Sequence, residues 1–185
     1  MNVVQPRVSF ADLERAPEDG RRYELYDGEV FVVPAPVPRH QLVAQAIAER
    51  FVAYTETHGG VALISPIDIV FSDYDVVQPD IVLFQASRRE LVQLDAAVRA
   101  RPDIAVEVLS PSTASTDRGR KMQLFARYGV PEYWIVDPVA VSIEVYTLDE
   151  GVYSLHLVAE AAQVVRSFLL PELQFVASAV FPASS

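Results

Sequence analysis

Three side chains far apart along the chain, Asp80, Glu107 and Lys121, have the types that metal-assisted hydrolysis needs. Lys121 is the only lysine beside fourteen arginines, and it follows Pro79-Asp80 and the segment Ile104-Ala105-Val106-Glu107-Val108-Leu109-Ser110. An ammonium is a compact point charge that can give up its proton when desolvated, whereas a guanidinium stays protonated and needs a planar fork of partners. Two carboxylates could hold one hard divalent cation, with the backbone carbonyl of Val108 as a further oxygen ligand, while the lysine orients a water. The competing reading is structural. Asp80 is then a turn residue after proline, Glu107 belongs to a strand-end ion pair with an arginine, and Lys121 pairs with Asp117 four residues earlier on a helix.

Strand periodicity decides where these groups face. Between Asp103 and Leu109, the side chains of Ile104, Val106 and Val108 point one way into a core, and Asp103, Ala105, Glu107 and Leu109 point the other. Glu107 is thus a charge in an otherwise apolar run, which costs several kcal/mol unless it is paired or bound to metal. Asp80 opens the strand Ile81-Val82-Leu83-Phe84 and shares a face with Val82 and Phe84, so neighbouring strands would bring the two acids together. Asp103 repeats the Pro-Asp dipeptide but lies roughly 13 Å from Glu107 along one strand, too far to share a cation. Glu24, between Tyr23 and Leu25, reads first as a solvent-facing strand position. His40 reads as a capping or surface histidine.

The elements that must carry these residues follow from local signals. Ser9 and Asp12 open a short helix as a weak capping box. Strands 23–26 and 29–33 flank Asp27-Gly28, a two-residue hairpin turn. After the stiff connector with Pro34, Pro36 and Pro38, a long helix runs to about His58 and stops at Gly59-Gly60, its buried stripe made by Val43, Ile47, Phe51 and Tyr54. Strands are predicted near 61–71 and 79–84, with Ser72 to Asp75 as the turn. A short helix near 87–92 precedes the Glu107 strand. Thr116 or Asp117 then caps a helix ending near Tyr128-Gly129. Tyr133 to Val136 is a buried strand, residues 141–148 and 152–158 form a hairpin across Asp149-Glu150-Gly151, and the C-terminal third is weakly patterned. This order gives an α/β or α+β fold.

A length of 185 residues makes one domain. With no cysteine, neither disulfides nor thiolate metal sites are available. No signal peptide or membrane-length apolar run is evident, so a cytoplasmic protein is expected. The net charge of −10 counts against a tight, non-specific nucleic-acid binder. Local basic groups remain at Arg21-Arg22, Arg39, Arg118, Arg120, Lys121 and Arg127. No phosphate loop, serine-hydrolase elbow or zinc spacing occurs.

Tyr23-Glu24-Leu25-Tyr26-Asp27-Gly28-Glu29, His40-Gln41, Val77-Gln78-Pro79-Asp80, Val106 to Thr113 and Gly129 to Pro138 occur in the order found in the Uma-two family. Over roughly residues 20–180 the chain resembles that family, which is grouped with restriction endonucleases in the PD-(D/E)XK nuclease superfamily. The resemblance implies a restriction-endonuclease-like core, a mixed central sheet of four or five strands flanked by helices, with an N-terminal hairpin. It also implies Asp80 and Glu107 as metal-binding carboxylates, Glu24 as an accessory acid, and Mg²⁺ or Mn²⁺ as cofactor. The superfamily places its lysine two residues after the glutamate, where this chain has Leu109. Lys121 resembles the migrated lysine of variants of the fold. The expected activity is water-driven hydrolysis of DNA, with a homodimer plausible for cutting both strands. The alternatives are a catalytically silent binding or assembly module and an RNA-processing nuclease.

Overall fold

Asp27 and Gly28 take φ values of 52° and 82°. Their turn joins β1 (Arg22–Tyr26) to β2 (Glu29–Val33) as the antiparallel pair that Asp-Gly predicts. The structure is a computed structural model and describes residues 6–183. Ahead of the hairpin, Ser9 caps α1 (Phe10–Arg15) in a full capping box with Asp12. Beyond it, Pro38 opens α2 (Pro38–His58) and Gly59 closes it. Val43, Ile47 and Phe51 form the buried stripe, while Tyr54, expected to continue it, is only partly buried against the same core.

The strand predicted over 61–71 is two strands in different sheets. β3 (Val61–Ile64) stops at Ser65-Pro66, where proline has no N–H to give a ladder, and β4 (Ile69–Ser72) starts anew. The turn is tighter than predicted: Asp75 already belongs to β5 (Asp75–Val77), which pairs with both β4 and β1. These four strands form a small sheet in the order β2-β1-β5-β4.

The larger sheet has six strands rather than four or five. Its order is β10-β9-β8-β7-β6-β3, built from β6 (Ile81–Phe84), β7 (Ile104–Val108), β8 (Glu132–Asp137), β9 (Ser142–Asp149), β10 (Val152–Glu160) and β3. Only β7 and β8 run parallel, and a helical crossover links them. That crossover starts earlier than predicted. α3 (Ala114–Thr116), a π-turn at Asp117–Lys121 and α4 (Met122–Arg127) follow without a break in helical backbone. Asp117 is therefore inside the helix, not its cap. The C-terminal third adds a small hairpin, β11 (Val164–Arg166) with β12 (Gln174–Val176), which packs against the same core as α2.

Both faces of the central sheet are buried, so the alternation in β7 sorts residues between two cores. Ile104, Val106 and Val108 face α2, while Ala105 and Leu109 face α4 and the small sheet. Glu107 projects to that second side, into the seam between the two sheets. No helix among the described residues is long and apolar enough to cross a membrane.

Candidate functional site

β6 and β7 are antiparallel neighbours with Ile81 opposite Val106. One more step in that register sets Asp80 beside Glu107, as the convergence of two acids requires. Asp80 is anchored at the strand end: its Oδ2 accepts from the Val108 N–H at 2.8 Å and lies 3.0 Å from His40 Nε2. A carboxylate only accepts, so Nε2 carries the proton in this contact. The Val108 carbonyl leaves the strand on the same edge as its N–H, toward Asp80. His40 is buried against the site from the first turn of α2, not at the surface as predicted.

Lys121 stands over Glu107. Its Nζ is 2.9 Å from Glu107 Oε1, 3.1 Å from Glu24 Oε1 and 3.8 Å from Asp117 Oδ1. Lys121 is 5% exposed, a burial lysine tolerates only when paired. The nearest partners are thus the acids on β7 and β1, ahead of the helical neighbour Asp117. Glu24 is buried, which overturns its reading as a solvent-facing residue. Its Oε1 also accepts from the Gln78 N–H at 2.9 Å, and its Oε2 accepts from the Tyr26 hydroxyl at 2.8 Å. Asp103 plays no part here. It pairs with Arg88 and accepts from the Gln85 N–H at the far end of β7.

One ammonium among several buried carboxylates cannot satisfy them all. Burial holds Glu107 well above the ordinary carboxylate range; Lys121 opposes this, and Asp117, Asp80 and Glu24 add to it. For Lys121, burial alone would depress the pKa, but Glu107 and Glu24 outweigh it and the ammonium is held well above the usual lysine value. Asp117 is pushed from 3.8 to about 6, chiefly by burial.

That last shift gives a measurable linkage. The folded state holds a proton on Asp117 that the unfolded chain releases near 3.8. The stabilisation is full below that value and is lost as the pH rises through about 6. Asp117→Asn fixes the neutral form, so the variant should be more stable than wild type by up to about 3 kcal/mol at neutral pH. Most of that gain should vanish near pH ~4. Urea denaturation at both pH values checks this, and a gain independent of pH would refute it.

Four buried side-chain atoms among the described residues have no hydrogen-bond partner: His40 Nδ1, Gln78 Oε1, Glu107 Oε1 and Asp117 Oδ2. The contact of Lys121 with Glu107 is an ion pair without hydrogen-bond angles, so Oε1 keeps its accepting capacity. All four residues line one cavity of about 30 Å³, enough for one water or one ion. Three of the four orphaned atoms are hard oxygens, the donor class that Mg²⁺ and Mn²⁺ prefer. No three His, Cys, Asp or Glu side chains among the described residues form a ready metal cage. The donor set therefore fits a cation held by one or two carboxylates and completed by water and substrate, which is how Mg²⁺ is usually bound.

With this geometry in view, comparison with known proteins places the chain. Residues 10–179 match the sequence profile of Uma2, described as "Putative restriction endonuclease". The chain belongs to the Uma2 family. The fold agrees: a crystal structure of a "putative nuclease belonging to DUF820" from Anabaena variabilis superposes with a TM-score of 0.77 over 94% of this chain and 97% of that one, at 19% identity. An uncharacterized protein of Synechocystis sp. is 26% identical over 130 residues, 68% of this chain. The chain spans about 65% of the length of that curated relative.

Of the residues singled out from sequence, Asp80, Glu107, Lys121 and Glu24 meet in one seam of this Uma2 fold. Asp117, His40 and Gln78 join them, and sequence reasoning had given none of these three a firm place in the site. Asp117 carried a signal, being one helical turn before the only lysine, but the same spacing serves an ordinary surface pair. Gln78 stands two residues before Asp80 and carried no signal of its own.

Proposed function

We propose that the protein is a Mg²⁺- or Mn²⁺-dependent endonuclease that hydrolyses DNA phosphodiester bonds by direct attack of water. The observation that carries this reading is the single buried ammonium within 3.1 Å of two carboxylates, beside Asp80, around a cavity with orphaned oxygens. Asp80, Glu107 and the Val108 carbonyl would hold the cation, which when bound lowers the pKa of a water and offsets the charge of the scissile phosphate. His40 and the Val108 N–H both hold Asp80 through Oδ2, on the wall of the cavity. Lys121 has three N–H donors. Its ion pairs with Glu107 and Glu24 fix the position of Nζ, from which an N–H can reach the attacking water or a phosphate oxygen gaining charge. Glu24 acts through Lys121 as a positioning residue. As the water oxygen bonds to phosphorus and the bond to the leaving oxygen breaks, one proton of the water passes to Asp117, whose pKa burial raises to about 6, and the leaving oxygen takes up a proton from solvent to depart as the alcohol.

The net charge of −10 favours a second reading, a binding or assembly module on the same fold without catalysis. Calorimetric titration with Mn²⁺ and nicking of supercoiled plasmid separate the two. The wild type should bind Mn²⁺ and nick, and Asp80→Ala should weaken Mn²⁺ binding by at least about tenfold. Equal Mn²⁺ binding by both proteins would refute the metal site. Binding without nicking would favour the second reading, and preferential cleavage of single-stranded RNA in a parallel assay would move the substrate to RNA.

A further inference from the structure

The cavity that holds the carboxylates is lined by two cations, and only one of them is committed. Lys121 is held by its acids. The other is Arg22, the first residue of β1, which has no carboxylate partner among the described ion pairs. Alternation along β1 puts Arg22, Glu24 and Tyr26 on one face, so Arg22 stands about 7 Å along the strand from the Glu24–Lys121 contact. Its Nη1 donates to Ser65 Oγ and its Nη2 to the Pro34 carbonyl, both at 3.0 Å. A guanidinium has five N–H donors, so three stay available.

We infer that Arg22 is a substrate-binding residue that grips a phosphate of the cleaved strand at the mouth of the acidic cavity. This rests on the nuclease reading and adds to it the group that overcomes electrostatic repulsion. A polyanion approaching Asp80, Glu107 and Asp117 meets net negative charge, and Lys121 is already neutralised by the acids around it. Arg22 supplies the missing positive charge on the same wall. Its planar fork suits two phosphate oxygens, which the carbonyl of Pro34 and the hydroxyl of Ser65 pre-orient without neutralising it. The cavity itself takes only a water or an ion, so the phosphodiester must be held at its rim, where Pro34 and Arg22 meet.

The test measures binding of a short duplex by fluorescence anisotropy in Ca²⁺ at several salt concentrations, with plasmid nicking of the wild type in Mg²⁺ alongside. Arg22→Ala should weaken binding by about fivefold at low salt and lower the slope of log affinity against log salt by about one. Arg22→Lys should keep the slope. A duplex with one neutral methylphosphonate at the contacted position should bind wild type as weakly as Arg22→Ala binds the native duplex, and the two changes together should cost no more than either alone. Loss of the Pro34 and Ser65 contacts could lower the melting temperature, but a merely structural role would not change the salt slope. A wild-type slope in Arg22→Ala, with wild-type binding and nicking intact, overturns this inference and leaves the nuclease reading standing. A wild type that neither binds nor nicks DNA overturns both.

Discussion

Glu107→Gln should give a stably folded protein whose nicking of supercoiled plasmid falls by about a thousandfold or more. The size of the loss follows from the several kcal/mol of transition-state stabilisation that a bound cation contributes, each 1.4 kcal/mol or so being a factor of ten in rate. The fold should not suffer. Burial penalises the charge of Glu107, and glutamine keeps its shape without that charge. Lys121 keeps Glu24 at 3.1 Å and Asp117 at 3.8 Å as partners. The melting temperature near neutral pH should therefore equal or exceed that of wild type, a gain in stability with a loss of function that marks a strained catalytic position. Nicking within tenfold of wild type would remove Glu107 from the chemistry. A collapse of the fold would show that its ion pair with Lys121 is structural first.

Lys121→Met should act on both properties at once. Removing the ammonium leaves Glu24, Glu107 and Asp117 as buried acids without a cation, a change expected to cost about 3–5 kcal/mol near neutral pH. The deficit should shrink as the pH falls and the carboxylates take up protons, because the neutral acids no longer need a counter-charge. Nicking should fall by about a hundredfold or more, the scale for loss of one donor to developing charge. Adding Glu24→Gln to Lys121→Met removes one of the orphaned charges and should recover part of the stability without recovering activity. Stability within about 1 kcal/mol of wild type, or unchanged nicking, would refute the assignment. Lys121→Arg should not rescue: the planar fork cannot occupy a space shaped around one nitrogen at 2.9 and 3.1 Å from two acids.

Much of this arrangement was legible because single residues carried strong local information. Asp27-Gly28 left one hairpin geometry open, and the apolar alternation in β7 fixed which side Glu107 faces before any neighbour was known. Lys121 stood out by composition alone. What stayed hidden depends on contacts between segments. Whether Glu24 is wet or buried is decided by the docking of the small sheet on α4, and β1 itself does not encode that. Residues 61–71 read as one strand because an apolar run continues on both sides of Ser65-Pro66, although the proline hands its two halves to different sheets. Asp117 has the composition of a cap, but the helix begins three residues earlier and turns it inward at the π-turn. Only packing could reveal that choice.

Under the proposed nuclease function, the seam between the two sheets also bears on when cleavage could begin. Glu24 arrives on the first hairpin, Asp80 and Glu107 on the middle strands, and Lys121 on the crossover helix, so the cluster closes only after some hundred residues have folded against one another. A ribosome-bound or proteolysed fragment holds the acids without their lysine, or the lysine without Glu24. On the proposed nuclease reading, cutting power requires completed tertiary assembly, which would shield a cell making this chain from its half-finished copies.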